Sequence, residues 1–181
     1  MIVALHFAYA QTKYTKDDIK TVNKLLWFGL DLSKAKLVNG FYHPKDVQDA
    51  YIRGWNDYIL SPDYNLKNLL KKDSIVIDLS VVTKRNKDRC NYYYKLIPDT
   101  IQSAIHDFQI TQKDGIGLIL FVDEFDNAWN TARIWIVFFD ILEKKILLAK
   151  QFSAKAGGTG MVNHWSKAIR TIIKEIPDTY K

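Results

Sequence analysis

Four aspartates recur within or at the ends of the apolar segments of this chain: Asp31, Asp78, Asp123 and Asp140. Carboxylates delivered by neighbouring strands suit Mg²⁺, which takes hard oxygen donors, and two such ions support in-line hydrolysis of a phosphodiester. Glu124 and Asp126 stand beside Asp123 and add to the negative charge there. The plainer reading is that carboxylates at strand ends and turns belong to solvated loops, and no compact motif ties the four together. A metal-dependent phosphodiesterase or nuclease with Asp31, Asp78, Asp123 and Asp140 as catalytic candidates is therefore the alternative function.

A second candidate is Gly157-Gly158-Thr159-Gly160, which precedes a helical pattern. Free backbone N–H groups and the helix dipole make an anion site chemically reasonable there. The phosphate-binding loop pattern needs Gly-Lys-Ser/Thr, however, and Gly160 is followed by Met161-Val162. The dinucleotide pattern must follow a strand of a parallel crossover unit, which is not the case here. The loop reads first as a strand-to-helix connection whose glycines supply positive φ, with anion binding as its secondary role.

Other chemistries have less support. His6, His43, His106 and His164 are too dispersed for zinc-ligand spacing. Cys90 is the only cysteine, so no intramolecular disulfide can form, and no histidine near it in sequence would activate it. The serines lack the nucleophile-elbow pattern. No metal and no cofactor are expected. Among the aromatics, Trp135 falls inside a continuous apolar strand and is expected in the core. Trp129 and Tyr92, Tyr93 and Tyr94 are the candidates for surface recognition, because successive residues of an extended segment point to opposite sides.

The elements that must position these residues follow from periodicity. Leu25–Leu32 reads as a buried strand, and Pro44 suits the first turn of a helix continued by Val47, Tyr51, Trp55 and Tyr58. Ser61-Pro62 ends that helix, and a short one is expected over Leu66–Lys71. Ser74–Val82 reads as the next strand, which makes a parallel crossover unit. A helix starting at Pro98 carries Ile101, Ile105 and Phe108. Then come Ile116–Val122, Thr131–Asp140 and Lys145–Ser153, the last two joined by a turn too short for a crossover and therefore antiparallel. Trp165, Ile169, Ile172 and Ile176 mark a closing helix. The fold class is α/β (α+β), a single domain with a mixed sheet of about five strands in the order β-α-β-α-β-β-β-α and helices packed on it.

Composition bounds the function. At 181 residues, 48% hydrophobic and 25% charged, the chain is an ordinary globular length and mixture. A net charge of +6 permits attraction to phosphates, yet 26 basic residues are interspersed with 20 acidic ones, so a nucleic-acid partner is not expected. The densest basic run, Lys84 to Arg89, reads as a solvated loop. Ile2–Ala10 is apolar and ends in the small-x-small tripeptide Ala8-Tyr9-Ala10. Residues 1–10 are accordingly expected to be a signal-peptide remnant and 11–181 a single globular domain, exported or periplasmic. The location would be cytoplasmic if Met1–Ala10 belongs to the domain. No stretch approaches the roughly 20 apolar residues of a membrane span.

The segments Phe28-Gly29-Leu30-Asp31-Leu32-Ser33, Phe139-Asp140-Ile141 and Gly157 to Trp165 resemble those of uncharacterised bacterial exported proteins. More distantly, the chain is similar to mixed α/β periplasmic accessory domains used in envelope assembly. The resemblance implies export and a non-enzymatic role, with a protein or an envelope component as partner, and brings no catalytic residues with it. The leading expectation is an exported, non-enzymatic binding or envelope-associated accessory protein.

Overall fold

Trp27 and Phe28 are consecutive residues of one strand, so their side chains leave opposite faces of the sheet. Both are fully buried, which requires cover on each face. The computed structural model describes residues 13–39, 47, 49–87 and 96–180. In chain order its elements are α1 (Asp18–Thr21), β1 (Lys24–Asp31), β2 (Lys36–Val38), α2 (Asp49–Leu60), α3 (Leu66–Leu69), β3 (Ser74–Ile77), α4 (Ser80–Lys87) and α5 (Pro98–His106). They continue with β4 (Ile116–Asp126), β5 (Thr131–Asp140), β6 (Lys145–Lys155), α6 (Met161–Lys174) and a closing 3-10 turn, Ile176–Thr179.

The sheet runs β3-β1-β4-β5-β6, with β1, β3 and β4 parallel and β4, β5 and β6 antiparallel. It is the expected mixed α/β sheet, with one strand more than the five foreseen. β2 continues beside β4 where β1 stops, pairing Lys36 with Glu124 and Val38 with Asp126. The strand expected over Ser74–Val82 ends at Ile77 instead. Asp78 Oδ1 accepts the Ser80 backbone N–H at 3.1 Å and its hydroxyl at 2.6 Å, and this turn starts α4. The basic residues Lys84, Arg85 and Lys87 thus ride on a helix rather than a loop.

Helices cover both faces. Against Trp27, Leu118, Leu120, Ile134, Ile136 and Phe138 pack α2, α3 and α6, with Trp55, Trp165 and Ile169 at the centre. Against Phe28, Ile119, Phe121, Val137 and Phe139 pack α4 and α5, through Val81, Val82, Ile101 and Ile105. Gly117 is required beneath the second layer, since a Cβ there would lie 2.5 Å from the Phe139 ring.

β3 pairs with β1 only from Lys24 to Trp27, so the outer edge of β1 beyond that point needs other partners. A bulge at Trp27/Gly29, with Gly29 at φ +90°, turns the strand. Two asparagines then replace the missing strand. Asn56 of α2 accepts from Leu30 N–H at 3.3 Å, while Asn86 of α4 accepts from Leu32 N–H at 2.7 Å and donates to Leu30 C=O at 2.9 Å.

Candidate functional site

Because β1, β3 and β4 are parallel, Asp31, Asp78 and Asp123 all come to the carboxyl end of the sheet. β5 runs the other way, and Asp140 pairs with Ile116 at the opposite end. There Asp140 accepts backbone N–H groups of Tyr14 at 3.2 Å and Glu143 at 3.0 Å. Each of the others has its own partners. Asp31 is 1% exposed, with Arg85 Nε 2.5 Å from Oδ2 and the Ser33 N–H on Oδ1. Asp78 is engaged by Ser80, as above. Asp123 Oδ2 accepts from Gln151 Nε2 at 2.9 Å and faces Arg133 Nε at 3.5 Å. Among the described residues no three His, Cys, Asp or Glu side chains are grouped to hold a metal.

The same end of the sheet carries the β4–β5 turn, and Trp129 at its tip is 70% exposed. The turn is firmly held. Asp126 Oδ1 accepts the Trp129 N–H at 3.1 Å, and the Trp129 carbonyl accepts from Lys155 Nζ at 2.8 Å and Thr131 Oγ1 at 3.0 Å. Asn39 Nδ2 donates to both oxygens of Asp126 at 3.0 Å. Burial acts to raise the Asp126 carboxyl, but the hydrogen bonds from Asn39 and from the backbone N–H groups of Trp129 and Ala128 outweigh it and hold its pKa below the usual range.

The glycine loop adjoins this turn, since Ala156 N–H donates to Asn130 C=O at 2.8 Å. Gly158 and Gly160 have φ of +111° and +82°, as a strand-to-helix reversal requires. Gly157 N–H donates to His164 C=O at 3.0 Å, and Asn163 Nδ2 to Thr159 C=O at 3.2 Å. The Lys167 side chain lies over Gly157. His106 is exposed at the end of α5 and His164 is half-buried in α6. Tyr92, Tyr93, Tyr94, Cys90, His6 and His43 lie outside the described residues.

Trp135 is half-buried rather than fully in the core, and its buried indole Nε1 has no hydrogen-bond partner among the described residues. It borders a hollow of about 440 Å³, together with Lys36, Leu96, Ile97, Asp123, Arg133 and Gln151. A bulge between Val122 and Glu124 adds Asp123 to the strand beside the Glu124–Arg133 pair. A smaller hollow of about 290 Å³ lies between α2 and α4, next to Asn56 and Asn86. Sequence reasoning missed Arg133, Gln151 and Lys36, whose approach depends on that bulge. The available signal was Arg133 itself, a long cation in an otherwise apolar strand.

No family model and no curated protein matches the chain. A solved structure, the lipoprotein GNA1162 from Neisseria meningitidis, is similar at 12% identity and a TM-score of 0.34, over 83% of this chain and 96% of that one. At that overlap the two backbones differ too much for a fold or a role to be carried across.

Proposed function

We propose that the protein is an exported, non-enzymatic binding protein that recognises a protein or envelope component through the sheet end bearing Trp129. The observation that carries this reading is an indole 70% exposed on a turn fixed by Asp126, Lys155 and Thr131. Leaving a large apolar ring in water has a cost that burial against a partner would offset. Aromatic anchors dominate interface energetics, since they bury much area for little lost entropy. The export part rests on Ile2–Ala10 and its small-x-small end. Among the described residues no helix is long and apolar enough to cross a membrane.

The hydrolase alternative has no comparable support, because Asp140 is at the far end of the sheet and Asp31 and Asp123 each face an arginine. A photo-crosslinking residue placed at position 129 in the native host should capture a discrete partner. The same residue at position 142, where Leu142 is 56% exposed at the opposite sheet end, should not. Trp129→Ala should abolish that partner's binding while changing stability by no more than about 0.5 kcal/mol. Equal capture at both positions would defeat the reading of this surface. Export is checked by N-terminal sequencing of the native protein, and a cytosolic chain that retains Met1–Ala10 would defeat it.

A further inference from the structure

Where β1 outruns β3, Asn56 and Asn86 take up its edge groups, and the start of β6 is closed in the same way. Gln102 of α5 accepts the Ile146 N–H on Oε1 at 2.9 Å and donates from Nε2 to the Lys144 C=O at 2.7 Å. β6 is the outermost strand beyond β5, and this glutamine covers only its first residues. Two bonds fix which backbone groups point outward further along. Ile146 N–H turns away from β5 to reach Gln102, whereas Ala156 N–H turns inward to Asn130 C=O at 2.8 Å. Between them β5 pairs Phe139 with Ile146 and Phe138 with Leu148, so Leu147 is the extra residue of a bulge and shifts the alternation by one. Counting back from Ala156, the N–H and C=O groups of Ala149, Gln151, Ser153 and Lys155 point away from the sheet. Among the described residues nothing pairs with them.

Such an edge is a template for another strand. It runs from Ala149 to Lys155 without proline or a further bulge, and one register makes it self-complementary. Laid antiparallel about Phe152, Ala149 meets Lys155 of a second copy and Gln151 meets Ser153. Opposed pairs of this kind exchange two hydrogen bonds each, so every outward group finds a partner. On one face Lys150 then stands opposite Ala154, and Phe152 opposite Phe152 in a non-hydrogen-bonded pair, where side chains come closest. Phe152 is half-buried, with Lys150 Nζ 5.1 Å from its ring centroid. No lysine faces a lysine. A register centred on Lys150 would set Lys150 against itself and Lys145 against Lys155, while one centred on Gln151 or Ser153 leaves one of the four residues unmatched.

We propose that β6 pairs antiparallel with β6 of a second copy about Phe152, joining two sheets into one. A foreign strand would satisfy the backbone equally, but the match of Lys150 to Ala154 and of Gln151 to Ser153 belongs to the chain's own sequence. An interface built on one strand pair is small, which sets the dissociation constant at about 10–100 µM. The pairing does not depend on the Trp129 surface. Lys155, whose Nζ holds the Trp129 carbonyl, falls opposite Ala149, so the two Trp129 turns lie at opposite ends of the shared ladder.

Sedimentation equilibrium of the full chain from about 5 to 500 µM should show a mass rising from 21.0 kDa toward twice that value. In ¹⁵N-labelled protein, amide exchange at Ala149, Gln151, Ser153 and Lys155 should slow at least about threefold across that range. The amides of Lys150, Phe152 and Ala154 face β5 and should be protected already at the lowest concentration. Ser153→Pro removes an outward donor and no bond to β5, so it should stay folded and weaken dimerisation at least about tenfold. With Cys90→Ser in place, Phe152→Cys should cross-link two copies on oxidation, and Lys150→Cys, which would face Ala154, should not. The proposal is overturned by a chain that stays monomeric throughout, by a dimer in which exchange at the four edge amides is unchanged, or by a folded Ser153→Pro that dimerises as the parent does. Cross-linking at position 150 that matches that at 152 would overturn it too. The exchange measurement needs no variant and keeps the test open if Ser153→Pro fails to fold. Capture of a partner at position 129 is read separately, so either reading can fail alone.

Discussion

Asn86 shows how much one side chain can carry. It accepts from Leu32 N–H and donates to Leu30 C=O, and at 4% exposure it leaves no room for water to take over. Asn86→Leu would keep the volume and strand both backbone groups. Each buried unpaired group costs about 1–3 kcal/mol, so the loss should be about 2–5 kcal/mol. Urea unfolding would show a lower midpoint at an unchanged slope, and a loss below about 1 kcal/mol would mean the β1 edge is not closed in this way. Neither this role nor the Arg133 and Gln151 contacts to Asp123 could be read from sequence. They join residues 56, 28 and 10 positions apart, and their pairing follows from where β3 stops and where β4 bulges. The aspartates were visible as residues, while their partners were not.

The elements were more legible, and the reason is continuity. β4, β5, β6 and α6 each hold one pattern for ten residues or more, long enough to separate a strand from a helix. Ser74–Val82 is short and mostly apolar, and both assignments fit it until Asp78 caps Ser80. The glycine loop is the reversal its composition implies, with Gly158 and Gly160 at positive φ, and its residues differ in a way that can be measured. Gly160 has φ +82° and ψ 150°, a region almost confined to glycine, so Gly160→Ala should cost about 1–3 kcal/mol through strain alone. No atom lies within 4 Å of the Cβ it would gain, which removes collision as a cause. Gly157 is the contrast: its φ lies outside the positive region, and an added Cβ would meet the tip of Lys167 at 3.3 Å. A lysine end moves easily, so Gly157→Ala should stay within about 0.5 kcal/mol. Thermal unfolding of the two variants checks both values. Equal costs would place the reversal elsewhere in the loop. A phosphate-dependent rise in melting temperature that Gly160→Ala removes would instead give the loop its anion-binding role.

At the scale of the whole molecule, the two faces of the sheet differ in how they are closed. The layer of α2, α3 and α6 ends on two tyrosines, Tyr64 and Tyr180, which are 3% and 9% exposed. Tyr180 stands edge-on to Phe138 at 5.7 Å and donates its hydroxyl to Leu70 C=O at 2.9 Å, tying the C-terminal turn to the end of α3. Tyr64 packs on Tyr58 beneath Arg170. Burial penalises phenolate in both, and the nearby Asp178 adds to it at Tyr180, whose pKa is pushed up to about 12 from 10.0. Burial raises Tyr64 as well, against the opposing pull of Arg170. A folded-state pKa above the unfolded one gives stability that is intact below pH 10 and lost as pH rises toward 12. Tyr180 alone should then lose about 1 kcal/mol for each pH unit in that window. Tyr180→Phe isolates the effect. At pH 8 it should be less stable than the parent by about 1 kcal/mol, the worth of one hydrogen bond. At pH 11 the parent has begun to bear the cost of ionising a buried phenol, while phenylalanine has nothing to ionise. The gap between the two should close by about 1 kcal/mol between those pH values in matched urea titrations. A gap that stays constant would show that Tyr180 ionises as freely in the folded protein as in the unfolded chain, and that the C-terminal turn does not seal this layer.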